Sequence, residues 1–280
     1  MMKLSNRVLE MEESVTLAAS ARAAALKAEG RDILSLTLGE PDFTTPENIQ
    51  KAAIAAIQDG KASFYTAASG LPALKDAISS YMETFYGYAV PRNQVVVATG
   101  AKFILYAAFA TLLNPGDEVI IPTPCWVSYV DQVKMVDAVP VTFQTTEAND
   151  FKATVEQLEA ARTEKTKLIL LNSPSNPTGM IYSREELEAI GAWALEHDIL
   201  ILADDIYGRL VYNGHEFTAI SSLSDALRKQ TIVVNGVSKT YAMTGWRVGF
   251  AVAEPEIIAG MAKIISQTTS NLTAVSQYAA

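Results

Sequence analysis

One cysteine and two histidines are all that 280 residues provide. Cys125 alone allows no internal disulfide and suits a reducing compartment. His197 and His215 are the only imidazoles, and the acidic pair Asp204-Asp205 has no further acid at ligand spacing, so no metal site is expected. Basic charge is scarce too. Lys and Arg number 22 against 31 Asp and Glu, a net charge of −9 with both signs scattered along the chain. That excludes a nucleic-acid backbone as the main partner, because phosphate neutralisation needs a basic face. A small anion in one local pocket remains compatible with it. Long apolar runs are missing as well. The longest, Phe103 to Leu113, is too short to cross a bilayer, and the opening MMKLSNRVLEMEESV has no apolar core of the signal-peptide kind. Neither an internal repeat nor a low-complexity linker is visible. These absences predict a cytoplasmic protein with no membrane partner.

What is present is a chain able to bury a sizeable core as one large or two ordinary domains. At 49% hydrophobic and 19% charged residues it is neither disordered nor collagenous. Seven β-branched or aliphatic runs recur: Val95–Val97, Val119–Ile121, Val139–Val141, Leu168–Leu171, Ile199–Leu202, Ile232–Val234 and Val248–Val252. They are apolar throughout rather than alternating, as strands covered on both faces are. Amphipathic segments lie between them, one opened by a capping box at Ser183-Arg184-Glu185-Glu186 and another closed by the turn Asn114-Pro115-Gly116-Asp117. The pattern predicts an α/β fold, a mostly parallel central sheet with helices on both faces. The first residues differ: a helix-like Ser14 to Glu29 leads to Gly39-Glu40-Pro41-Asp42. Residues 1–45 are therefore expected to form an arm and part of a smaller unit, and residues 46–280 the large domain. Asn271 to Ala280 reads as the start of a helix without a cap or terminating glycine, so the chain is expected to have been cut there.

Four segments carry candidate chemistry. Ser238-Lys239 follows an apolar run, with Arg247 eight residues beyond the lysine. Lys239 is either an ordinary surface lysine or a pre-placed amine nucleophile. Ser238 and Arg247 supply a hydroxyl and a planar fork suited to phosphate, and a phosphorylated aldehyde held there would meet Lys239 as a Schiff base. Asn176-Pro177-Thr178-Gly179 follows another strand and is either a simple turn or part of the ligand crevice that forms at strand carboxyl ends. Asp204 and Asp205 end a wholly apolar strand, which is costly unless they are paired. A carboxylate opposite a protonated ring nitrogen fits better than a metal ligand, and Tyr207 can donate to the same ring. Val95 to Lys102 is a strand, a small-residue turn and a helix start, where Gly100 and Ala101 let backbone N–H groups approach phosphate. Its glycine spacing matches neither a Walker loop nor a dinucleotide fingerprint. Trp126 either fills core or stacks on a planar cofactor.

Taken in order from about Ser14 to the last residue, these segments resemble the fold-type I pyridoxal-phosphate enzymes, specifically the class I and II aminotransferases, with the bacterial aspartate aminotransferases nearest. Ser238-Lys239 with Arg247 and Gly249, Asn176 to Gly179, Asp204 with Tyr207, Gly39 to Phe43, and Tyr65 to Leu74 carry the likeness. The resemblance implies the fold-type I large domain plus part of an incomplete small domain, and pyridoxal 5'-phosphate as cofactor. Lys239 would hold the cofactor and then act as acid–base catalyst, Asp204 would pair with the pyridine nitrogen, and Asn176 and Tyr207 would hydrogen-bond the phenolate oxygen. Gly100, Ala101, Lys102, Ser238 and Arg247 would surround the phosphate, helped by Tyr65 from a second chain of a homodimer. Trp126 would stack on the ring. Substrate contacts would come from the Gly39 backbone and from Trp126 and Asn176, with Lys102, Ser14 and Thr16 favouring aspartate or glutamate as donor and a 2-oxo acid such as 2-oxoglutarate as acceptor.

The resemblance also implies a departure: members of the family continue past residue 280 and supply an arginine for the substrate α-carboxylate, a role no residue here fills. Poor transamination is the expectation that follows. Rival readings are a C–S lyase, an aminotransferase for another amino acid, and a catalytically impaired cofactor-binding fragment.

Overall fold

The structure is a computed structural model, and it describes Leu4, Ser5, Val8, Leu9, Met11 and residues 15–280. Each of the seven apolar runs forms a strand: β1 (Val95–Thr99), β2 (Glu118–Thr123), β3 (Val139–Gln144), β4 (Thr166–Asn172), β5 (Leu200–Asp204), β6 (Thr231–Gly236) and β7 (Val248–Val252). They make one sheet in the order β1-β7-β6-β5-β4-β2-β3. Neighbours from β3 to β6 pair in parallel, while β7 runs antiparallel to both β6 and β1. The expected α/β architecture is thus present, with one reversed strand inserted near an edge.

Helices cover both faces, and the strand pleat decides which residue meets which helix. Val96, Ala98, Leu168, Leu170, Leu202, Val234 and Ala251 share one buried cluster with Ile104 and Phe109 of α4 (Gly100–Leu112) and Met261 and Ile265 of α9 (Pro255–Thr268). On the other face, Val95, Val97, Val233, Phe250 and Val252 pack on Leu74, Ile78 and Met82 of α3 (Pro72–Tyr86). There too, Ile169, Leu171, Ile201 and Ala203 meet Leu187, Ile190 and Ala194 of α7 (Arg184–Glu196). This double cover is why the central strands read as continuous apolar runs. Edge strand β3 is instead half-buried and accommodates Pro140.

The remaining helices are α1 (Val15–Ala28), α2 (Glu47–Gln58), α5 (Ser128–Met135), α6 (Val155–Ala161), α8 (Asp225–Gln230) and α10 (Ala274–Ala279). The capping box at Ser183 and Glu186 starts α7 as the sequence predicts, and a second one, Thr154 with Gln157, starts α6. Helix α1 buries only Ala23, so the N-terminal segment lies largely outside the core that organises the sheet. Among the described residues, no helix is long and apolar enough to cross a membrane.

Candidate active site

Parallel pairing aligns strand ends, and register puts Asn172 of β4 directly beside Asp204 of β5. Asp204 is only 3% exposed. Its Oδ2 accepts the Tyr129 hydroxyl at 2.8 Å, its Oδ1 accepts the Ile206 N–H at 3.3 Å, and its carbonyl accepts the Asn172 side-chain amide at 2.8 Å. Burial is the dominant influence and pushes the carboxyl up to about 6, against the pull of the Tyr129 and Ile206 donors. A cation set against Asp204 would favour its ionised form.

Lys239 follows the next strand, β6, and borders the same cleft, a cavity of about 330 Å³. Its Nζ donates to the Gly39 carbonyl at 2.6 Å, which closes the N-terminal turn over the strand ends. Burial lowers the affinity of this amine for its proton; Glu40 opposes that shift and Arg247 adds to it. A half-buried amine so tuned is closer to a nucleophile than a surface lysine is.

An anion corner adjoins it. Helix α4 begins at Gly100 with φ +80°, and Thr99 before it makes no side-chain cap, so the first N–H groups of the helix are open to a ligand. Arg247 adopts a left-handed φ of +56°, rare for a side-chain-bearing residue, and its Nη1 donates to the Thr244 carbonyl at 3.1 Å. A Cβ on Gly100 would run into this guanidinium, and one on Gly249 would strike the backbone of Gly100 and Ala101. Gly249 is therefore dictated by close backbone approach, and Gly100 by its left-handed φ. Burial and the nearby Arg247 lower the proton affinity of Lys102, whose Nζ lies 4.8 Å from the centre of the Trp126 ring. Trp126 in turn meets Tyr129 edge-on, ring centres 5.2 Å apart. Opposite, the Asn176 side-chain amide donates to the Tyr207 hydroxyl at 3.3 Å, and the Asn176 N–H donates to Asn172 Oδ1 at 2.8 Å.

Residues 31–280 match the family model described as aminotransferase class I and II. The chain belongs to that family. It is 73% identical over 280 residues to the asparagine–oxo-acid transaminase of Streptococcus mutans, covering all of this chain and 71% of that protein. It is 50% identical over 277 residues to the aspartate aminotransferase of Bacillus sp. (strain YM-2), covering 99% of this chain and 70% of that relative. Among solved structures, the aspartate aminotransferase from Rhizobium meliloti superposes with a TM-score of 0.96 at 44% identity, covering 100% of this chain and 70% of that one.

Within this aminotransferase, most residues singled out from the sequence border one cleft: Gly39, Thr16, Ala101, Lys102, Trp126, Asn176, Asp204, Tyr207, Ser238, Lys239 and Arg247. Gly100 packs against the Arg247 guanidinium at its edge. Ser14 lies outside the described residues. Tyr65 is apart from this cleft, its ring 90% exposed beside a separate surface hollow. Asp205 points elsewhere too. Its Oδ2 accepts the Tyr86 hydroxyl at 3.0 Å, and that hydroxyl accepts the Asn235 side-chain amide at 3.0 Å, so the second acid fastens α3 to the sheet.

Three sets of hydrogen bonds, involving four of the site's own residues, escaped sequence reasoning. Tyr129 supplies the donor that a buried acid at a strand end requires, but nothing in the chain says which of 11 tyrosines it is. Glu40 and Thr244 form the second, Oε1 accepting the Thr244 hydroxyl at 3.0 Å. Thr45 makes the last. Its hydroxyl donates to the Ala242 carbonyl at 2.7 Å and accepts the Trp246 indole N–H at 2.9 Å, fixing the N-terminal turn on the Lys239 loop.

Proposed function

We propose that this aminotransferase works with pyridoxal 5'-phosphate and transfers the amino group of aspartate to a 2-oxo acid such as 2-oxoglutarate, in the cytoplasm. The observation that carries the reading is a half-buried amine, Lys239, and a buried carboxylate, Asp204, bordering one cleft with the Gly100–Arg247 anion corner. The donor set suits the cofactor at each end. Open helix N–H groups, Ser238 and Arg247 are a phosphate cradle, with Gly100 left-handed at the helix start and backbone packed too closely at Gly249 for a side chain. Asp204 is the partner for a cationic ring nitrogen, Trp126 a wall for a planar ring, and the Asn176–Tyr207 pair a donor set for a phenolate oxygen.

Bound there, the cofactor supplies an electron sink that stabilises negative charge at a substrate α-carbon. The protein contributes the rest. Asp204 holds positive charge at the floor, and Tyr129 keeps that carboxylate oriented and ionised. Lys239 accepts a proton at Nζ and returns it, a task favoured by an amine whose proton affinity burial has lowered. Lys102 and Thr16 border the cleft and suit the distal carboxylate of an acidic substrate. Asparagine is a second donor to consider, favoured by the name of the Streptococcus mutans relative at 73% identity. The exposed Tyr65 supports a homodimer in which each chain lends that hydroxyl to the other's phosphate corner. The sparse burial of α1 supports residues 1–45 as an arm and small-domain portion distinct from 46–280.

Borohydride reduction of the pyridoxal-phosphate-loaded protein followed by peptide mapping tests the core of this reading. The label is expected on Lys239, and the visible absorption band should vanish in Lys239→Ala. A label on any other lysine rejects it. Bleaching of that band by aspartate but not asparagine, or the reverse, separates the two donors.

A further inference from the structure

Tyr65 stands exposed at the start of a surface segment whose following residues, Thr66 to Leu71, are tied down. Its ring is 90% exposed, and its hydroxyl has no hydrogen-bond partner among the described residues. The neighbours are held. The Thr66 hydroxyl accepts a hydrogen bond from Gln277 Nε2 at 2.7 Å, and the Leu71 N–H donates to Gln277 Oε1 at 2.8 Å. Between them, the Ser69 carbonyl accepts the Val97 N–H of β1 at 3.2 Å, and Gly70 passes so close to Val97 that a Cβ would collide with it. Gln277 itself is 3% exposed on α10, and its Nε2 also donates to the Leu272 carbonyl at 2.7 Å.

A buried amide that uses both its donor and its acceptor on one distant surface segment removes that segment's conformational freedom before any partner arrives. An aromatic hydroxyl left exposed on such a frame is pre-organised for contact outside its own chain. Simple loop stapling would explain the bonds but not the exposed ring that immediately precedes them. We infer that Gln277, through Thr66 and Leu71, is a positioning residue that aims Tyr65 at the phosphate corner of a second copy of this chain. The inference rests on the proposed reading of Tyr65 and adds the device that fixes it.

The experiment compares the binding of pyridoxal 5'-phosphate with that of pyridoxal, which lacks the phosphate, in the full chain and in Tyr65→Phe, Gln277→Leu and Thr66→Val. Gln277→Leu and Thr66→Val should each weaken the phosphorylated ligand about fivefold, the worth of one hydrogen bond, and leave pyridoxal unchanged. In the Tyr65→Phe background the same substitutions should add little. Equal weakening of both ligands, or full additivity with Tyr65→Phe, would mean a merely structural role and overturn the inference. Should Gln277→Leu fail to fold, Thr66→Val alone decides, because it removes one bond from the segment's surface side. If Tyr65→Phe binds both ligands like the unaltered chain, the shared-site reading falls and this inference with it, while trapping at Lys239 stands untouched. If only Tyr65→Phe shows the phosphate-specific loss, the positioning role alone is wrong.

Discussion

The floor and the rim of the cleft are built on different principles. On the floor, Asp204, Tyr129 and Ser238 are 3%, 1% and 7% exposed and are fixed by strand register and hydrogen bonds. The rim, from Thr37 to Thr45, contains no strand or helix and rests on side-chain bonds to the 239–247 loop: Lys239 to Gly39, Thr244 to Glu40 and Trp246 to Thr45. The floor is pre-organised by the packing of the whole sheet, so it suits chemistry common to every substrate. The rim depends on a few local bonds, so it suits closure and choice among substrates.

The sharpest way to break the contrast is at the floor. Asp204→Asn should cut transaminase turnover by about 10²–10³-fold, since it removes preorganised charge from a buried site. In cofactor-free protein the same change should be stabilising. The Asp204 carboxyl rises from 3.8 to about 6 on folding, so it is neutral and costs nothing below pH 4. Between about pH 4 and 6 the unfolded chain ionises first, and stability falls by about 3 kcal/mol before levelling off above the folded-state value. Denaturant unfolding should therefore show a gap in favour of Asp204→Asn that opens as pH rises to about 6. A gap independent of pH would contradict the assignment.

Tyr129→Phe is the intermediate case. A hydrogen bond to a charged group is worth about 1.5–3 kcal/mol, so losing it should raise the Asp204 midpoint by about one pH unit or more, followed by carboxyl-carbon NMR in aspartate-labelled protein. A midpoint that stays put would mean that Tyr129 does not tune the acid. At the rim the effect should be smallest. Thr45→Val removes two hydrogen bonds and should lower stability by about 1–2 kcal/mol while pyridoxal-phosphate affinity holds. Loss of affinity comparable to that of a floor variant would erase the distinction between the two regions.

Legibility followed the same division. Six strands were readable because double-covered strands must be apolar throughout, half-buried β3 from its start Val139–Val141, and Ser183-Glu186 because a capping box is purely local. Lys239, Asp204 and Asn176 stood out since each follows or ends such a strand, and Arg247 since it stands eight residues beyond Lys239, just before β7; strand ends are where an open sheet collects its ligand residues. Tyr129 and Thr45 did not. Their partners lie 75 and 197 residues away, and no local pattern encodes a pairing across that distance. The reversed direction of β7 was invisible for a related reason: an apolar run has the same composition whichever way it points.

By itself, then, the order of residues determined the strands, the helix starts and the chemical types at the strand ends, because these depend on propensity and periodicity within a few residues. Only the tertiary structure decided where Asp205 points, which tyrosine serves Asp204, and that Gln277 holds the Tyr65 segment. Those choices depend on strand register and on the desolvation of buried groups, and neither exists until distant segments have packed together.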